Sequence, residues 1–398
     1  MITVVGVGAD GWAGLSPAAR QAISEAAVLV GSARQLDLVP AGGARKVRWP
    51  SPLLPALPAL VSEPGTCVLA SGDPMFFGIG ATLARTVGPE NLRILPHPSS
   101  LSLACARLAW PVEETPVVSL VGRPLDALRA AVLPGRRVLV LTADGAGPAL
   151  VAELLREHGY GASVMHVLSR LGSADESRVT GTAASWAAEA GELNVVAIEC
   201  VADPGTVPLP PVPGLPDAAF EHDGQLTKRE VRAVSLARLA PLPGQLLWDV
   251  GAGAGSVAIE WMRTHPSCRA IAVESRQDRA DRIGRNAAAL GVPGLRVVTG
   301  RAPGALEGLP TPSAVFVGGG ATVPGLLETC WAALPPGGRL VANAVTLESE
   351  SVLTGWYGRH GGDLVRLAVS RSAPVGGFTG WKSMMPVTIW TATKENGT

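Results

Sequence analysis

The residues of this chain that could do chemistry are glycines and carboxylates rather than nucleophiles. In WDVGAGAGSVAIEW, residues 248–261, a short apolar run breaks into Gly251, Ala252, Gly253, Ala254 and Gly255, and a helical pattern then begins with apolar Val257, Ile259 and Trp261. Glycines let a backbone come close to a ligand. The segment AIAVES follows, and Glu274 closes it about 20 residues after the turn, where a nucleotide-binding βαβ unit keeps its acceptor for ribose hydroxyls. A dinucleotide site would carry a third glycine where Ser256 stands, so that a pyrophosphate could rest on the helix N-terminus. The GxGxG spacing, with Asp249 just before it, favours a cofactor with a cationic centre and no phosphates, S-adenosylmethionine over NAD. The plain alternative is a tight strand-to-helix turn.

No Ser/His/Asp or Cys/His constellation stands out, and none is needed for methyl transfer to an electron-rich carbon, where geometry and exclusion of water supply much of the rate. The five cysteines, Cys67, Cys105, Cys200, Cys268 and Cys330, are odd in number and widely scattered. That suits neither a disulfide framework nor a metal site, so no metal is expected and the thiols read as reduced, buried, small apolar groups. Lys plus Arg equals Asp plus Glu, 33 of each, which leaves no global positive field to draw in nucleic acid. Met1 to Gly8 enters directly into an apolar strand, and no apolar run approaches the ~20 residues of a bilayer span. A cytoplasmic chain with neither a membrane nor a nucleic-acid partner is expected.

The elements that must position these residues follow an α/β rhythm. With 398 residues and 47% hydrophobic composition, two or three domains can each bury a core. DPGTVPLPPVPGLPDAAFEHDG, residues 203–224, reads as an extended Pro-rich linker. Before it, residues 1–202 alternate short β-branched runs with Ala/Leu/Arg-rich stretches and divide near Pro111 to Pro116 into lobes of about 1–111 and 116–202. After it, residues 225–398 predict helices over 227–239, 276–290 and 323–334 between strands, with LVRLAVSR and VTIWTATK as a closing antiparallel pair.

VVGVGADGWAGLSPAA (4–19), ASGDPMFFGIG (70–80), PHPSSLSLACARLAWP (96–111) and the later LTADGAGP resemble the tetrapyrrole methylase family, most closely its precorrin-6Y-acting branch. LTKREVRA (226–233), DVGAGAGS, AVES, TGRAP and VFVGGG, in that order, resemble the decarboxylating partner of that branch in cobalamin biosynthesis. The resemblance covers essentially the whole chain. It implies a bilobal tetrapyrrole methylase fold followed by a Rossmann-like class I methyltransferase fold, with a mostly parallel sheet and an antiparallel last strand. It also implies one S-adenosylmethionine per domain, precorrin-6Y as the small-molecule substrate, and a homo-oligomer. Methylation at C-5 by the first domain, and at C-15 with loss of the ring C acetate carboxyl by the second, would give precorrin-8.

The resemblance carries cofactor contacts onto Gly6, Gly8, Gly72, Asp73, Pro74, Met75, Phe76, Ser99 and Ser100 in the first domain, and onto Thr227, Asp249, Gly251 to Gly255, Glu274, Ala302 and Gly318 in the second. Several have a local alternative. Asp73-Pro74 is a common turn pair, Ser99 or Ser100 can cap a helix, and Thr227 with Glu230 spells a capping box. Val121 stands where relatives usually carry His, and Arg301 where many class I methyltransferases carry an acid for the adenine amino group. For substrate carboxylates, Arg229 and Arg232 beside the cofactor motif are preferred over Arg276, Arg279, Arg282 and Arg285, which read as a solvated face with Asp278 and Asp281. The proton donor is left open among Glu260, His265, Tyr357 and His360, each of which reads first as structural. The competing readings are a fused methyltransferase for a non-corrin substrate and a binding scaffold with one inactive domain.

Overall fold

The computed structural model describes residues 1–40 and 42–395. The chain divides into two compact units, one of Met1–Leu125 with Val132–Thr206, the other of Asp126–Ala131 with Val207–Thr398.

The first unit holds two five-stranded sheets. Strands β1 (Ile2–Val7), β2 (Val28–Gly31), β3 (Arg45–Arg48), β4 (Thr66–Ser71) and β5 (Leu92–Leu95) lie in the order β3-β2-β4-β1-β5, all parallel. Both faces are covered, so the strands read as continuous apolar runs. Val5, Val7, Cys67 and Leu69 point to the side packed by Ala19, Ile23 and Leu36. Val4, Val68 and Ala70 point to the side packed by Leu57, Val61 and Leu83. The other sheet contains β6 (Val117–Ser119), β7 (Arg137–Leu141), β8 (Val164–Ser169), β9 (Ser177–Thr182) and β10 (Asn194–Glu199) in the order β6-β7-β10-β8-β9. Only β6 and β7 run parallel there. The helix Ser100–Leu108 presses Leu101, Ala104 and Cys105 onto Leu139, Leu168, Val195 and Ala197 of this sheet.

The second unit is built on a seven-stranded sheet of β11 (Leu246–Val250), β12 (Arg269–Glu274), β13 (Arg296–Thr299), β14 (Ala314–Val317), β15 (Arg339–Ala344), β16 (Asp363–Leu367) and β19 (Val387–Thr393). Its order is β13-β12-β11-β14-β15-β19-β16, with β19 antiparallel to both neighbours and the rest of the register parallel. The chain steps outward from β11 to β13 and then crosses to β14, which makes the carboxyl end of β11 a topological switch point where ligands enter such sheets. Leu247, Ala272, Phe316 and Ile389 face one core with Trp261 and Ile283, while Trp248, Val273, Val317 and Trp390 face the other with Trp331 and Trp356.

Three features differ from the pattern predicted from sequence. The helix Leu347–His360, opened by a Thr346 hydroxyl that accepts from Ser349 N–H, was not anticipated. Between β16 and β19 the chain makes a separate hairpin of β17 (Ser370–Val375) and β18 (Phe378–Ser383). The Pro-rich stretch is no free tether beyond Thr206, because Leu215 and Phe220 are buried in the second unit's core. Glu260 accepts from the backbone N–H of Gly214 at 2.6 Å and of Leu215 at 2.9 Å, and Asn286 accepts from Glu221 N–H at 2.8 Å.

Candidate functional site

In the first unit β1 and β4 run side by side with Val7 opposite Ser71, so the loops that follow them leave the same carboxyl edge. A cleft of about 490 Å3 opens there, walled by Gly8, Gly72, Asp73, Phe76, Ser99 and Ser100 on one lobe and by Thr142, Leu168 and Asn194 on the other. Gly6, Pro74 and Met75 are not in its wall. Gly6 serves convergence of the loops, since a Cβ there would sit 2.0 Å from Gly72 O and 2.7 Å from His97 N. A Cβ on Gly8 would lie 2.4 Å from His97 Nε2, which itself is 3.3 Å from Asp10 Oδ1. The turn and cap alternatives hold as well. Asp73 Oδ1 accepts from Met75 N–H at 2.8 Å, and Ser99 Oγ accepts from Ser102 N–H at 3.0 Å. Val121 also faces this cleft, as do Arg34 and Gln35, which sequence reasoning passed over. Both donate to Ser71 Oγ, at 3.1 and 3.0 Å.

The second cleft, about 750 Å3, lies at the switch point and is lined by Thr227, Gly251, Ala252, Gly253, Glu274, Ala302 and Gly318. Gly251, Gly253 and Gly255 all have positive φ, at 71°, 59° and 76°. A Cβ on Gly253 would lie 2.9 Å from Gln225 O, and one on Gly255 would lie 2.7 Å from Ile283 Cγ2, so the loop can fold this tightly only as glycine. Glu274 is 4% exposed. Its Oε2 accepts from Gly253 N–H at 2.9 Å and its Oε1 from Arg276 N–H at 3.1 Å, which fixes the carboxylate at the cavity wall with lone pairs to spare for hydroxyl donors. Thr227 is not the helix cap. The helix Arg229–Leu239 begins after Lys228 without a side-chain cap, and Glu230 instead pairs with Arg371 at 2.5 Å.

Asp249, Ala254 and Gly255 stand behind this wall rather than in it. Asp249 is buried beneath the loop, where its Oδ2 accepts from Ala258 N–H at 3.0 Å and its Oδ1 has no partner. Burial pushes its carboxyl up to about 7, against the Ala258 N–H and with help from the Glu274 charge. A cleft walled by glycine backbone and by the fixed, buried Glu274 carboxylate fits a nucleoside cofactor. Gln225, Asn343, Met384 and Met385 line it too and were not foreseen. Asn343 sits at the carboxyl end of β15 and donates to Ser235 Oγ at 3.1 Å.

One expectation about the arginines is corrected and another holds in part. Arg232 is fully buried, and its Nε donates to Glu260 Oε1 at 2.6 Å, so it cannot meet a substrate. Glu260 likewise belongs to that pair. Arg276 pairs with Asp278 at 2.8 Å on the solvated face expected, and Arg285 is exposed there too, while Arg279 and Arg282 are mostly covered and reach Asp223 of the Pro-rich stretch at 2.8 and 3.4 Å, as Arg285 reaches Glu221 at 2.7 Å. His360 stacks on Trp356 with ring centroids 4.7 Å apart and has no part in either cleft. All five cysteines are buried free thiols. Among the described residues no cluster of His, Cys, Asp and Glu could hold a metal ion.

Comparison with known proteins follows the same division. Residues 1–187 match the family described as tetrapyrrole (corrin/porphyrin) methylases, and residues 218–394 match the precorrin methyltransferase domain. A precorrin-6Y C(5,15)-methyltransferase [decarboxylating] from Sinorhizobium sp is 51% identical over 399 residues, covering 99% of this chain and 96% of that protein. Its counterpart in Mycobacterium tuberculosis (strain CDC 1551 / Oshkosh) is 47% identical, covering 99% of this chain and all of that protein. Among solved structures, the C-terminal domain of the Rhodobacter capsulatus precorrin-6Y C5,15-methyltransferase is 47% identical, covers 47% of this chain and 100% of its own length, and gives a TM-score of 0.45. With similarity running unbroken through both units, the chain belongs to the precorrin-6Y C(5,15)-methyltransferase (decarboxylating) family.

Proposed function

We propose that the first unit methylates C-5 of precorrin-6Y and that the second methylates C-15 and releases the ring C acetate carboxyl as carbon dioxide, giving precorrin-8, with one S-adenosylmethionine in each unit. The observation that carries this reading is that each unit owns a separate glycine-walled cleft at the carboxyl edge of a sheet, in a chain similar end to end to proteins of that name. S-adenosylmethionine, when bound, supplies an electrophilic methyl group.

The chain's part is to bind, orient and keep water out. In the second cleft Glu274 offers acceptors to ribose hydroxyls, while the Gly251 to Gly253 backbone and Ala302 leave room for the nucleoside. In the first, Gly72, Asp73 and the start of the helix at Ser100 wall the corresponding space. Methylation at a bridging carbon replaces one hydrogen, so a proton leaves for each methyl gained. Decarboxylation breaks the bond between the acetate methylene and its carboxyl, the bonding pair passes into the conjugated macrocycle as carbon dioxide leaves, and the acetate carbon then takes up one proton. The apolar walls of both clefts favour these steps by excluding water around charge that moves onto the macrocycle.

The same reading places the chain in the cytoplasm as a homo-oligomer. Buried, free cysteines suit a reducing compartment, and among the described residues no helix is long and apolar enough to cross a membrane. Balanced charge supports the absence of a nucleic-acid partner. The β17–β18 hairpin exposes Phe378 and Trp381 at 84% and 79%, which supports self-association. Incubating the full-length chain with precorrin-6Y and labelled methyl donor, then weighing the products, tests the assignment. A gain of two methyl groups with loss of one carbon dioxide is expected, together with two donor molecules bound per chain in calorimetry. A single bound donor would replace it with a scaffold having one inactive unit.

A further inference from the structure

Among the described residues four that are not glycine have positive φ, namely Phe77 at 54°, Ala109 at 54°, Arg170 at 52° and Ala240 at 46°. Ala109 and Ala240 are left-handed caps that end the helices Ser100–Leu108 and Arg229–Leu239, where such a conformation is ordinary. Phe77 and Arg170 end no helix, and both line the first unit's cleft. Strain of this kind survives only where the surroundings over-determine it, and it concentrates at ligand clamps. Arg170 is held by its N–H on Leu193 O at 2.9 Å and by Ser173 N–H on its own carbonyl at 3.0 Å. Phe77 is held between the edge of Phe76, with ring centroids 5.2 Å apart, and the Arg123 guanidinium, 5.4 Å from its centroid.

The charges of this cleft are poorly matched from within. Arg34 donates to the hydroxyl of Ser71, and among the described residues no carboxylate lies within ion-pair distance of it. Burial holds its guanidinium below the usual arginine range, as expected of a cation short of an anion. Arg170 has only Asp175, at 3.4 Å, in a pair that is 58% and 77% exposed and therefore easily exchanged for a better partner. The acidic residues of the wall are Asp73, already engaged by Met75 N–H, and Glu192. Phe77 nevertheless keeps 48% of its surface exposed.

We propose that Arg34 and Arg170 pair with carboxylate arms of the tetrapyrrole while Phe77 supports the macrocycle's apolar face, so that these three residues select the substrate of the first unit. The assignment rests on the functional reading above and adds the groups that do the selecting. Guanidinium suits this because its planar fork meets a carboxylate with two parallel hydrogen bonds, and a partly desolvated fork without an anion gains most from one. Anchoring the rim of the macrocycle from both lobes would also fix its rotation in the cleft, which decides the bridging carbon that faces the methyl donor.

The test uses the full-length chain and two readouts. Arg34→Ala and Arg170→Ala are each expected to raise KM for C-5 methylation about tenfold or more, to change kcat less, and to leave the C-15 step and donor affinity as in the wild type. Arg34→Lys, which keeps the charge but not the fork, should recover part of the loss and guards against a variant that fails to fold. Binding of uroporphyrin, a stable tetrapyrrole polycarboxylate followed by its fluorescence, reads the anchors without turnover and should weaken in the same variants. Unchanged KM and unchanged uroporphyrin affinity in both alanine variants would overturn the proposal, as would an equal fall in donor affinity, which would make these residues part of the cofactor site. If the wild type methylates nothing yet uroporphyrin binding still weakens in Arg34→Ala, the anchors stand and the reaction reading falls.

Discussion

Asp249 shows how a single residue can be placed by the motif it begins and yet act from behind the wall. Its carboxyl sits near 7 in the folded protein against an ordinary 3.8, chiefly because burial disfavours the charged form. The raised value fixes the sign of its effect on stability. The stability contributed by the neutral carboxyl is fully present below about pH 3.8 and is lost as pH rises through about 7. Asp249→Asn keeps an oxygen acceptor for Ala258 N–H and cannot ionise. The melting temperature of that variant, relative to wild type, is therefore expected to climb by roughly 6–12 °C between pH 4.5 and 7.5, the equivalent of about 3 kcal/mol. A gap that stays constant over this range in calorimetric melts would mean that Asp249 is ionised in the folded protein throughout. Gly253 bears a different constraint. Alanine there must adopt φ near 59° with its Cβ 2.9 Å from Gln225 O, a conformation that costs an L-residue about 1–2 kcal/mol before any clash is relieved. The peptide would turn, and the Gly253 N–H that steadies Glu274 would turn with it. Gly253→Ala is expected to lower calorimetric donor stoichiometry from two per chain to one while C-5 methylation persists, and retention of two sites would show that the loop tolerates a side chain.

At the scale of elements, what sequence made legible was whatever depends on neighbours in the chain. The β11 run, the glycine loop and Glu274 fall within one βαβ unit, so their spacing alone set them at one edge. The helix Leu347–His360 escaped because Gly355 and Gly358 interrupt it and only Leu353 and Trp356 are buried, leaving too thin an apolar stripe to detect. Arg232 was misassigned for the opposite reason. Its partner Glu260 lies 28 residues away on another helix, and no local pattern reveals that the two meet. That pair also explains why a proline-rich stretch is pinned down. Arg232 donates to the carbonyls of Leu215 and Thr227, and Glu260 accepts from Gly214 and Leu215, so one buried ion pair fastens both the stretch and the cofactor-cleft residue Thr227. Removing one partner strands the other charge in the core, which typically costs about 3–5 kcal/mol. Arg232→Ala should show that loss in urea unfolding of the second unit. It should also make residues 207–224 open to limited proteolysis under conditions where the wild type resists, whereas uncut protein with an unshifted midpoint would show that the segment is held by its Leu215 and Phe220 anchors alone.

For the whole molecule, the β17–β18 hairpin is the element whose sequence is hardest to reconcile with a solitary chain. Among the described residues its strands pair only with each other, and a two-stranded ribbon is marginal in water without a surface to rest on. Arg371 ties its base to Asp217 at 3.0 Å and to Glu230 at 2.5 Å, but Val375, Phe378 and Trp381 remain 61%, 84% and 79% exposed. Val375 and Phe378 pair across the strands on one face and Trp381 stands on the other, so the ribbon exposes apolar side chains on both faces. Among the described residues Val375, Phe378 and Trp381 belong to neither core of the second unit. A second copy of the chain would bury the ribbon by an equivalent ribbon and satisfy its free edges at once. Phe378→Ser with Trp381→Ser leaves Arg371 and the strand register untouched, so the fold of either unit should not suffer. Sedimentation velocity is expected to show the wild type as an assembly and the double variant shifted to smaller species, with donor binding preserved in both. An unshifted double variant would place self-association on another surface and leave the hairpin to cover something other than its own copy.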